Sequence, residues 1–130
     1  MKHVREHEVE GFRAPAPHAR TLKHLAAPWT IGSQNLWLGM SKIDPGSSSN
    51  PHHHDVQEEI FYVVSGHGQI VVGEERADVE PGSVVVVPPG QTHYLVNTSD
   101  ETLKVLAAVA PPFEQRDFEA QHKLDEDGRA

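Results

Sequence analysis

A chain of 130 residues, 37% of them hydrophobic, has room for one domain with one hydrophobic core. Its formal net charge of −8 would repel nucleic-acid phosphates and anionic lipid headgroups, so we expect it to bind neither nucleic acid nor membrane. The absence of cysteine excludes disulfides and zinc sites built from thiolates. No apolar run approaches about 20 residues and the start lacks the apolar centre of a signal peptide, so we expect a cytoplasmic protein.

The first part of the chain, residues 1–28, is expected to be an extended arm. Its polar start ends in an Ala-Pro-Ala-Pro run, which blocks helix formation and favours a mobile segment. Residues 20–26 alternate weakly and are a candidate edge strand. Because the edge of a small barrel needs covering, we expect this arm to pair with the sheet of a second subunit in a homodimer.

Short strands separated by turns fill the middle of the chain, and no convincing helix is present. Proline and glycine occupy the turns, which is typical of an antiparallel sandwich or barrel. The predicted strands cover residues 36–43, 60–64, 69–72, 76–79, 84–87, 94–96 and 103–109.

The strand over residues 60–64 is apolar on both faces. Phe61 and Val63 share the face of Glu59, and Ile60, Tyr62 and Val64 lie on the opposite face. A sheet with one side in water would not tolerate this pattern. We therefore expect a second sheet layer, the N-terminal arm or a dimer partner to cover the outer face.

Two histidines are spaced to form a chelating pair. His52 and His54 are two residues apart, so their imidazoles point to the same face of an extended strand. His53, between them, should point away. Glu59 begins the next strand and places a carboxylate beside the imidazoles, although Glu58 is a rival because either side chain could reach a metal from a turn.

A fourth candidate ligand comes from a second stretch of the chain. The turn Pro88-Pro89-Gly90 follows an all-valine strand, and His93 then starts the next strand. With the first pair and the carboxylate, this gives three imidazoles and one carboxylate. Nitrogen and oxygen donors of this kind suit iron, manganese, nickel, copper or zinc.

These residues stand in two spaced motifs. The first runs Gly46, five residues, His52, one residue, His54, four residues, Glu59, six residues, Gly66; the second runs Gly82, five residues, Pro88, one residue, Gly90, two residues, His93, three residues, Asn97. Both patterns resemble the complete first and second motifs of the cupin superfamily, and the fifteen residues between them resemble the spacer of compact microbial cupins. The matching gap to the first motif's last glycine favours Glu59 over Glu58.

The resemblance implies a fold and a metal centre. The fold is an all-β, antiparallel double-stranded β-helix, or jelly-roll barrel, over residues 29–112. The metal would be one divalent transition ion per chain inside one end of the barrel, held by His52, His54, Glu59 and His93. We favour Fe²⁺ or Mn²⁺, and regard Ni²⁺, Zn²⁺ or Cu²⁺ as ions that a preparation can acquire.

Four ligands leave two positions of an octahedron for water, substrate or dioxygen. The resemblance implies dioxygenase, lyase or isomerase chemistry on a small oxygenated organic molecule, and it equally allows a non-catalytic module that binds or senses a small molecule. No acid–base residue beyond the ligands is evident, which favours metal-centred chemistry or none. Strand parity does not say which of the candidate cavity residues face the metal; they are Trp37, Met40, Phe61, Tyr62, Gln69, Tyr94 and Leu95.

The remaining histidines and the end of the chain are not expected to form the site. We expect histidines 3, 7, 18, 24 and 122 to lie in mobile segments, because they lack ligand spacing. Residues 113–130 read as a charged, partly disordered tail in which Phe113 and Phe118 are positioned to fold back on the barrel.

Overall fold

The computed structural model describes residues 1–118, which form two antiparallel sheets. A 3₁₀ turn at Glu6–Glu8 precedes the strands, and residues 115–118 are helical. The larger sheet has the strand order β1-β2-β3-β9-β4-β7, and the smaller has the order β6-β5-β8. The strands are β1 (Phe12–Ala14), β2 (Arg20–Ala26), β3 (Trp37–Ile43), β4 (Glu58–Ser65), β5 (Gly68–Val72), β6 (Glu75–Val79), β7 (Val84–Val87), β8 (His93–Val96) and β9 (Leu103–Ala110).

The all-β, antiparallel prediction is confirmed. Each predicted strand of the middle region is present, with its ends shifted by no more than two residues. Strand β1 has no counterpart in the prediction, because three residues are too few to show a period of two. No helix of the described residues is long and apolar enough to cross a membrane.

The N-terminal segment lies on the sheet of its own chain. Strand β2 pairs with β3, and β1 pairs with β2, so β1 rather than β2 forms the edge. The expected mobile arm therefore includes two strands that are hydrogen-bonded into the larger sheet. Exchange of this segment between subunits, and a domain boundary at residue 28, stay predictions.

The hydrophobic core lies between the two sheets. Strands β4 and β9 alternate between buried and more exposed residues along their length, which is the pattern of strands with one face inward. Phe61 and Val105 bring the larger sheet into this core, and Ile70 and Leu95 bring the smaller one. The candidate ligand Glu59 lies on the same inward face of β4 as Phe61, and this parity directs its carboxylate toward the core.

The outer face of the larger sheet is covered over only part of its area. The residues before β1 reach β2, β3 and β9 through Glu6, whose carboxylate contacts lysines from all three strands. On β4 and β7 the outward apolar residues stay between 38% and 62% exposed. We call these residues the outer patch: Ile60, Tyr62, Val64, Val84 and Val86.

Glu6 is the centre of an ion cluster that anchors this segment. Its carboxylate oxygens lie 2.7 Å from Lys23 Nζ, 2.9 Å from Lys42 Nζ and 3.3 Å from Lys104 Nζ. The hydrogen bonds to Lys23 and Lys42 lower the pKa of Glu6 from an ordinary value near 4.5 to about 2, against the opposing effect of burial. A carboxyl whose pKa is lower in the folded than in the unfolded chain stabilises the fold above the unfolded pKa.

The cluster predicts a pH-dependent effect of Glu6→Gln. The variant should be less stable than the wild type by roughly 1 kcal/mol at pH 7. The difference should shrink as the pH falls from about 4.5 toward 2, because the wild-type carboxyl becomes protonated in that interval. Urea unfolding at several pH values measures both quantities.

Glu8→Gln is the matched control, since Glu8 is exposed, its ion pair with Arg5 spans 3.6 Å, and a glutamine amide oxygen can still accept from the Arg5 N–H as the carboxylate does at 3.2 Å. It should change stability little at any pH. Equal stability of Glu6→Gln and the wild type at pH 7, or a difference that persists unchanged at pH 2, would contradict the anchoring role of Glu6.

Candidate metal centre

Three segments bring four side chains to one point between the sheets. His52 and His54 lie in the loop before β4, Glu59 is the second residue of β4, and His93 is the first residue of β8. One ligand atom from each residue lies within 4.8 Å of the others. Glu59 Oε1 is 3.3 Å from His54 Nε2 and 3.2 Å from His93 Nε2. The structure therefore brings the three candidate ligands of the first motif together with His93 at the start of β8.

Backbone pairing joins the two motifs. His52 and His93 form an antiparallel bridge, in which the His52 N–H donates to His93 O at 3.2 Å and the His93 N–H donates to His52 O at 2.9 Å. Ser49 N–H also donates to Leu95 O, at 2.9 Å. The loop before β4 thus runs along β8 as an interrupted extra strand. Its extended backbone is what allows His52 and His54 to share a face.

Gly90 sets the turn that leads into β8. Its φ of +83° lies in the left-handed region, where a residue with a Cβ pays roughly 1–2 kcal/mol. Its N–H donates to His54 O at 2.8 Å, so the turn also holds the backbone of a candidate ligand. The glycine of the second motif therefore has a conformational role next to the site.

Two imidazole rings are oriented by backbone carbonyls. His52 Nδ1 lies 2.7 Å from Asn50 O, and His93 Nδ1 lies 2.9 Å from Gln91 O. Because a carbonyl oxygen can only accept, we assign the proton of each ring to Nδ1. Nε2 of each ring then keeps its lone pair, which is the arrangement found in imidazoles that bind metals.

Two buried polar atoms at the centre lack hydrogen-bond partners in the described part of the chain. They are Glu59 Oε1 and His93 Nε2, whose residues are 5% and 1% exposed. The two atoms lie 3.2 Å apart, but with the His93 proton on Nδ1 both are acceptors and neither can donate to the other. An unsatisfied buried polar group costs about 1–3 kcal/mol, so native proteins rarely leave two together. A cation would satisfy both atoms, and three imidazole nitrogens with one carboxylate oxygen suit a divalent transition ion.

The local electrostatics favour a carboxylate at Glu59 and a neutral ring at His52, whereas burial lowers the pKa of His93 but the hydrogen bond that its protonated ring makes to Glu59 outweighs it and raises that pKa. Burial raises the pKa of Glu59, but His54 and His93 outweigh it and lower the pKa to about 2. Burial, assisted by the nearby His93, lowers the pKa of His52 to about 3. At neutral pH the site therefore offers a carboxylate and an uncharged His52.

A cavity of about 60 Å³ opens beside the four residues. Its wall is mainly apolar and includes both sheets and the residues after β9. Phe113 lies against His54, with ring centroids 4.6 Å apart, and against Trp37 at 5.0 Å. The C-terminal segment thus closes part of the cavity. This placement agrees with the expectation that Phe113 and Phe118 fold back on the barrel.

The seven candidate cavity residues divide by strand face. Trp37, Phe61 and Leu95 line the cavity. The structure does not place the other four there, because each lies one position along its strand from an inward residue and so faces outward. Met40 and Tyr62 are on the outer face of the larger sheet, and on the smaller sheet the outward pair is Gln69, bonded to Asp78 at 3.0 Å, and Tyr94, close to Arg76.

The rival residues of the first motif point away from the centre. Glu58 is exposed, and His53 is exposed beside Asp55, with His53 Nε2 3.3 Å from a carboxylate oxygen. These placements agree with the preference for Glu59 and with the exclusion of His53.

Sequence reasoning missed residues from the N-terminal strands. Arg20 and Leu22 of β2 line the cavity, although residues 20–26 are predicted to be an edge strand that pairs with a second subunit. His24, expected to be mobile, packs among aromatic rings and accepts a hydrogen bond from Trp37 Nε1 at 3.2 Å; burial lowers its pKa to about 4. His18 is also buried, and His122 lies outside the described residues. The weak alternation of β2 was the available signal.

The cupin-domain family model matches residues 39–109, more than half of the chain and all of the candidate ligands. The chain belongs to the cupin family. Its two sheets are accordingly the double-stranded β-helix of that family.

Relatives of this cupin include proteins with and without a described role. An uncharacterized protein of Streptomyces coelicolor is 36% identical over 112 residues, which cover 86% of this chain and 98% of that protein. The oxalate-binding protein of Thermotoga maritima is 26% identical over 88 residues, or 68% of this chain and 73% of that protein. Among solved structures, a predicted oxalate decarboxylase from Thermotoga maritima superposes with a TM-score of 0.75 at 24% identity, covering 83% of this chain and 97% of that chain; this likeness shows the fold.

Proposed function

We propose that this cupin binds one divalent transition-metal ion through His52, His54, Glu59 and His93 and acts on a small oxygenated organic molecule. The observation that carries the proposal is the convergence of these four groups around two buried atoms, Glu59 Oε1 and His93 Nε2, that lack hydrogen-bond partners in the described residues. A purely structural polar cluster would be expected to satisfy such atoms internally.

The donor set narrows the choice of ion. Three imidazoles and one carboxylate without sulfur suit iron or manganese, which we favour as the working metals. Nickel, zinc or copper would bind the same donors, and the general order of affinities means that a purified sample can carry them in place of the working ion. The ion found in a purified sample therefore identifies the working metal only if the metals present during preparation are controlled.

A metal bound here would supply Lewis-acid or redox chemistry of the dioxygenase, lyase or isomerase type. The chain's own residues hold the geometry for it. Asn50 O and Gln91 O fix the rings of His52 and His93, so that each Nε2 stays directed to the centre. Phe61 and Phe113 form part of the apolar wall beside the centre, and electrostatic interactions next to an apolar wall are stronger than in water.

One relative supports a small organic acid as the substrate class. A relative that binds oxalate aligns over 68% of this chain, although at only 26% identity. The cavity of about 60 Å³ agrees with a ligand of few heavy atoms. The reaction itself is not fixed by either observation.

The alternative is a non-catalytic module that binds or senses a small molecule. It is favoured by the lining of the cavity, where the described residues include no general acid or base besides the candidate ligands. Turnover in a screen of small organic acids with Fe²⁺- and Mn²⁺-loaded protein would support the enzyme. Tight binding without turnover would support the module.

A homodimer through the outer patch is part of the same proposal. The smaller sheet covers the inner face of the larger one, and the N-terminal segment covers the outer face only near β2, β3 and β9. The outer patch on β4 and β7 is uncharged, so a second copy of the chain would present the same apolar surface to it. A cytoplasmic location and the absence of nucleic-acid binding stay predictions from the sequence.

The metal proposal predicts the metal content of purified protein. Protein purified without a tag under anaerobic conditions should contain about one iron or manganese ion per chain by elemental analysis. His93→Ala should lose this ion, because it removes one of the four candidate ligands, and His93 is only 1% exposed. His53→Ala is the matched control and should keep the ion, since His53 is exposed and points away. A metal-free wild type, or equal metal in both variants, would contradict the proposal.

The dimer proposal predicts the effect of a charge in the outer patch. The wild type should sediment as a dimer, and Val86→Glu should sediment as a monomer at the same concentration, because a buried unpaired carboxylate opposes association. Val86 is 53% exposed in the single chain, so the variant should still fold. Thr98→Glu, at an exposed loop, is the control and should stay dimeric. A monomeric wild type would refute this use of the patch.

A further inference from the structure

The buried side chain of Asn50 connects the candidate metal centre with strand β2. Asn50 is 3% exposed and lies two residues before His52, in the loop that precedes β4. Its side-chain oxygen Oδ1 accepts a hydrogen bond from Arg20 Nη2 at 2.9 Å, and its backbone oxygen accepts one from His52 Nδ1 at 2.7 Å. One buried residue therefore contacts both a strand of the larger sheet and a candidate ligand.

Arg20 is a fixed point for this contact. Its backbone pairs with Ala14 of β1 on one side and with Ile43 of β3 on the other. The guanidinium is buried as well, and its Nη1 donates to His18 O at 2.8 Å. Hydrogen bonds from a charged donor are stronger than those between neutral groups. The side chain of Asn50 is thus held against a part of the sheet that is itself paired on both sides.

The backbone at Asn50 has few other attachments. On either side of it the loop is bonded to β8, through the N–H groups of Ser49 and His52. Within residues 1–118, positions 50 and 51 form no backbone-to-backbone hydrogen bond, and Pro51 has no N–H to donate. The hydrogen bond between Asn50 and Arg20 therefore fixes this stretch between its two contacts with β8.

The position of the Asn50 carbonyl decides the orientation of the His52 ring. The ring donates from Nδ1 to that oxygen, which directs Nε2 to the centre. A carbonyl that moves would let the ring rotate away from the geometry that a metal needs. His93 is oriented independently by Gln91 O at 2.9 Å, so loss of the Asn50 side chain should affect His52 selectively.

We propose that Asn50 is a positioning residue of the metal centre, which orients His52 through its backbone oxygen while Arg20 holds its side chain. The inference rests on the proposed function, because it requires a metal ion at the four candidate ligands. Strand β2 then contributes to metal affinity, although none of the four candidate ligands lies on it.

The first experiment measures the Mn²⁺ affinity of the full chain by titration calorimetry. Asn50→Ala keeps the backbone oxygen and removes the acceptor for Arg20, so it should bind Mn²⁺ about 10- to 100-fold more weakly than the wild type. Asn50→Asp keeps a side-chain oxygen for the guanidinium and should bind Mn²⁺ at least as tightly as the wild type. Asn35→Ala, which removes an exposed asparagine, is the matched control and should keep the wild-type affinity.

Nuclear magnetic resonance of Zn²⁺-loaded protein distinguishes positioning from a general loosening of the fold. In the wild type, the Nδ1 protons of His52 and His93 should both exchange slowly with water, because a carbonyl oxygen holds each of them. In Asn50→Ala the His52 proton should shift and exchange faster, and the His93 proton should not change. The wild-type spectrum tests the inference even if this variant does not fold.

The outcomes separate this inference from the proposed function. A wild type that binds no Mn²⁺ would overturn the metal site itself. If the wild type binds Mn²⁺, unchanged affinity in folded Asn50→Ala would overturn only the inference, as would an Asn50→Asp variant that binds as weakly as Asn50→Ala. A wild-type His52 without a slowly exchanging Nδ1 proton, or equal changes at His52 and His93 in the alanine variant, would do the same.

Discussion

The antiparallel bridge between His52 and His93 is the contact on which the candidate metal centre depends. Its two backbone hydrogen bonds join the loop before β4 to the first residue of β8, and the two histidines are 41 residues apart in the sequence (93 − 52). The bridge keeps the loop extended, so that His52 and His54 share a face. The two motifs also meet in the larger sheet, where β4 pairs with β7 and Glu59 lies opposite Val87, but it is the bridge that brings the loop with His52 and His54 to His93 on the smaller sheet.

The alternation of side chains along each strand then decides which strand residues face the site. The inward face of β4 carries Glu59 and Phe61 to the centre and the core, whereas its outward face carries the outer patch. On β2 the inward face brings Arg20 to the cavity, and the outward face brings Lys23 to the Glu6 cluster. The inner face of the larger sheet therefore contributes to the site. Its outer face contains the lysines that bind Glu6 and the exposed outer patch.

The sequence contains the parts of the site that depend on local geometry. The pairing of His52 with His54 and the choice of Glu59 over Glu58 follow from a period of two and from motif spacing, and the structure brings the chosen residues together. The placement of Gln69 and Tyr94 did not follow, because which face of a strand meets the opposite sheet is a tertiary property. Both prove to face outward.

The sequence also did not predict which residues from distant segments contact the site, because those contacts depend on tertiary pairing. Arg20 enters the cavity through the pairing of β2 with β3, and the weak alternation of β2 does not reveal that pairing. The sequence predicted that Phe113 folds back on the barrel, but not that it contacts His54, because that contact depends on how the chain returns after β9. His24 was assigned to a mobile arm, because its aromatic neighbours come from β3 and from segments that no local pattern connects.

The most direct test of the metal centre is anomalous X-ray diffraction from crystals of the protein as purified, recorded at the absorption edge of the ion it contains. The proposal predicts one strong peak at about 2.0–2.3 Å from Nε2 of the three histidines and from a carboxylate oxygen of Glu59. A peak at other histidines, or none between His52, His54, Glu59 and His93, would contradict it.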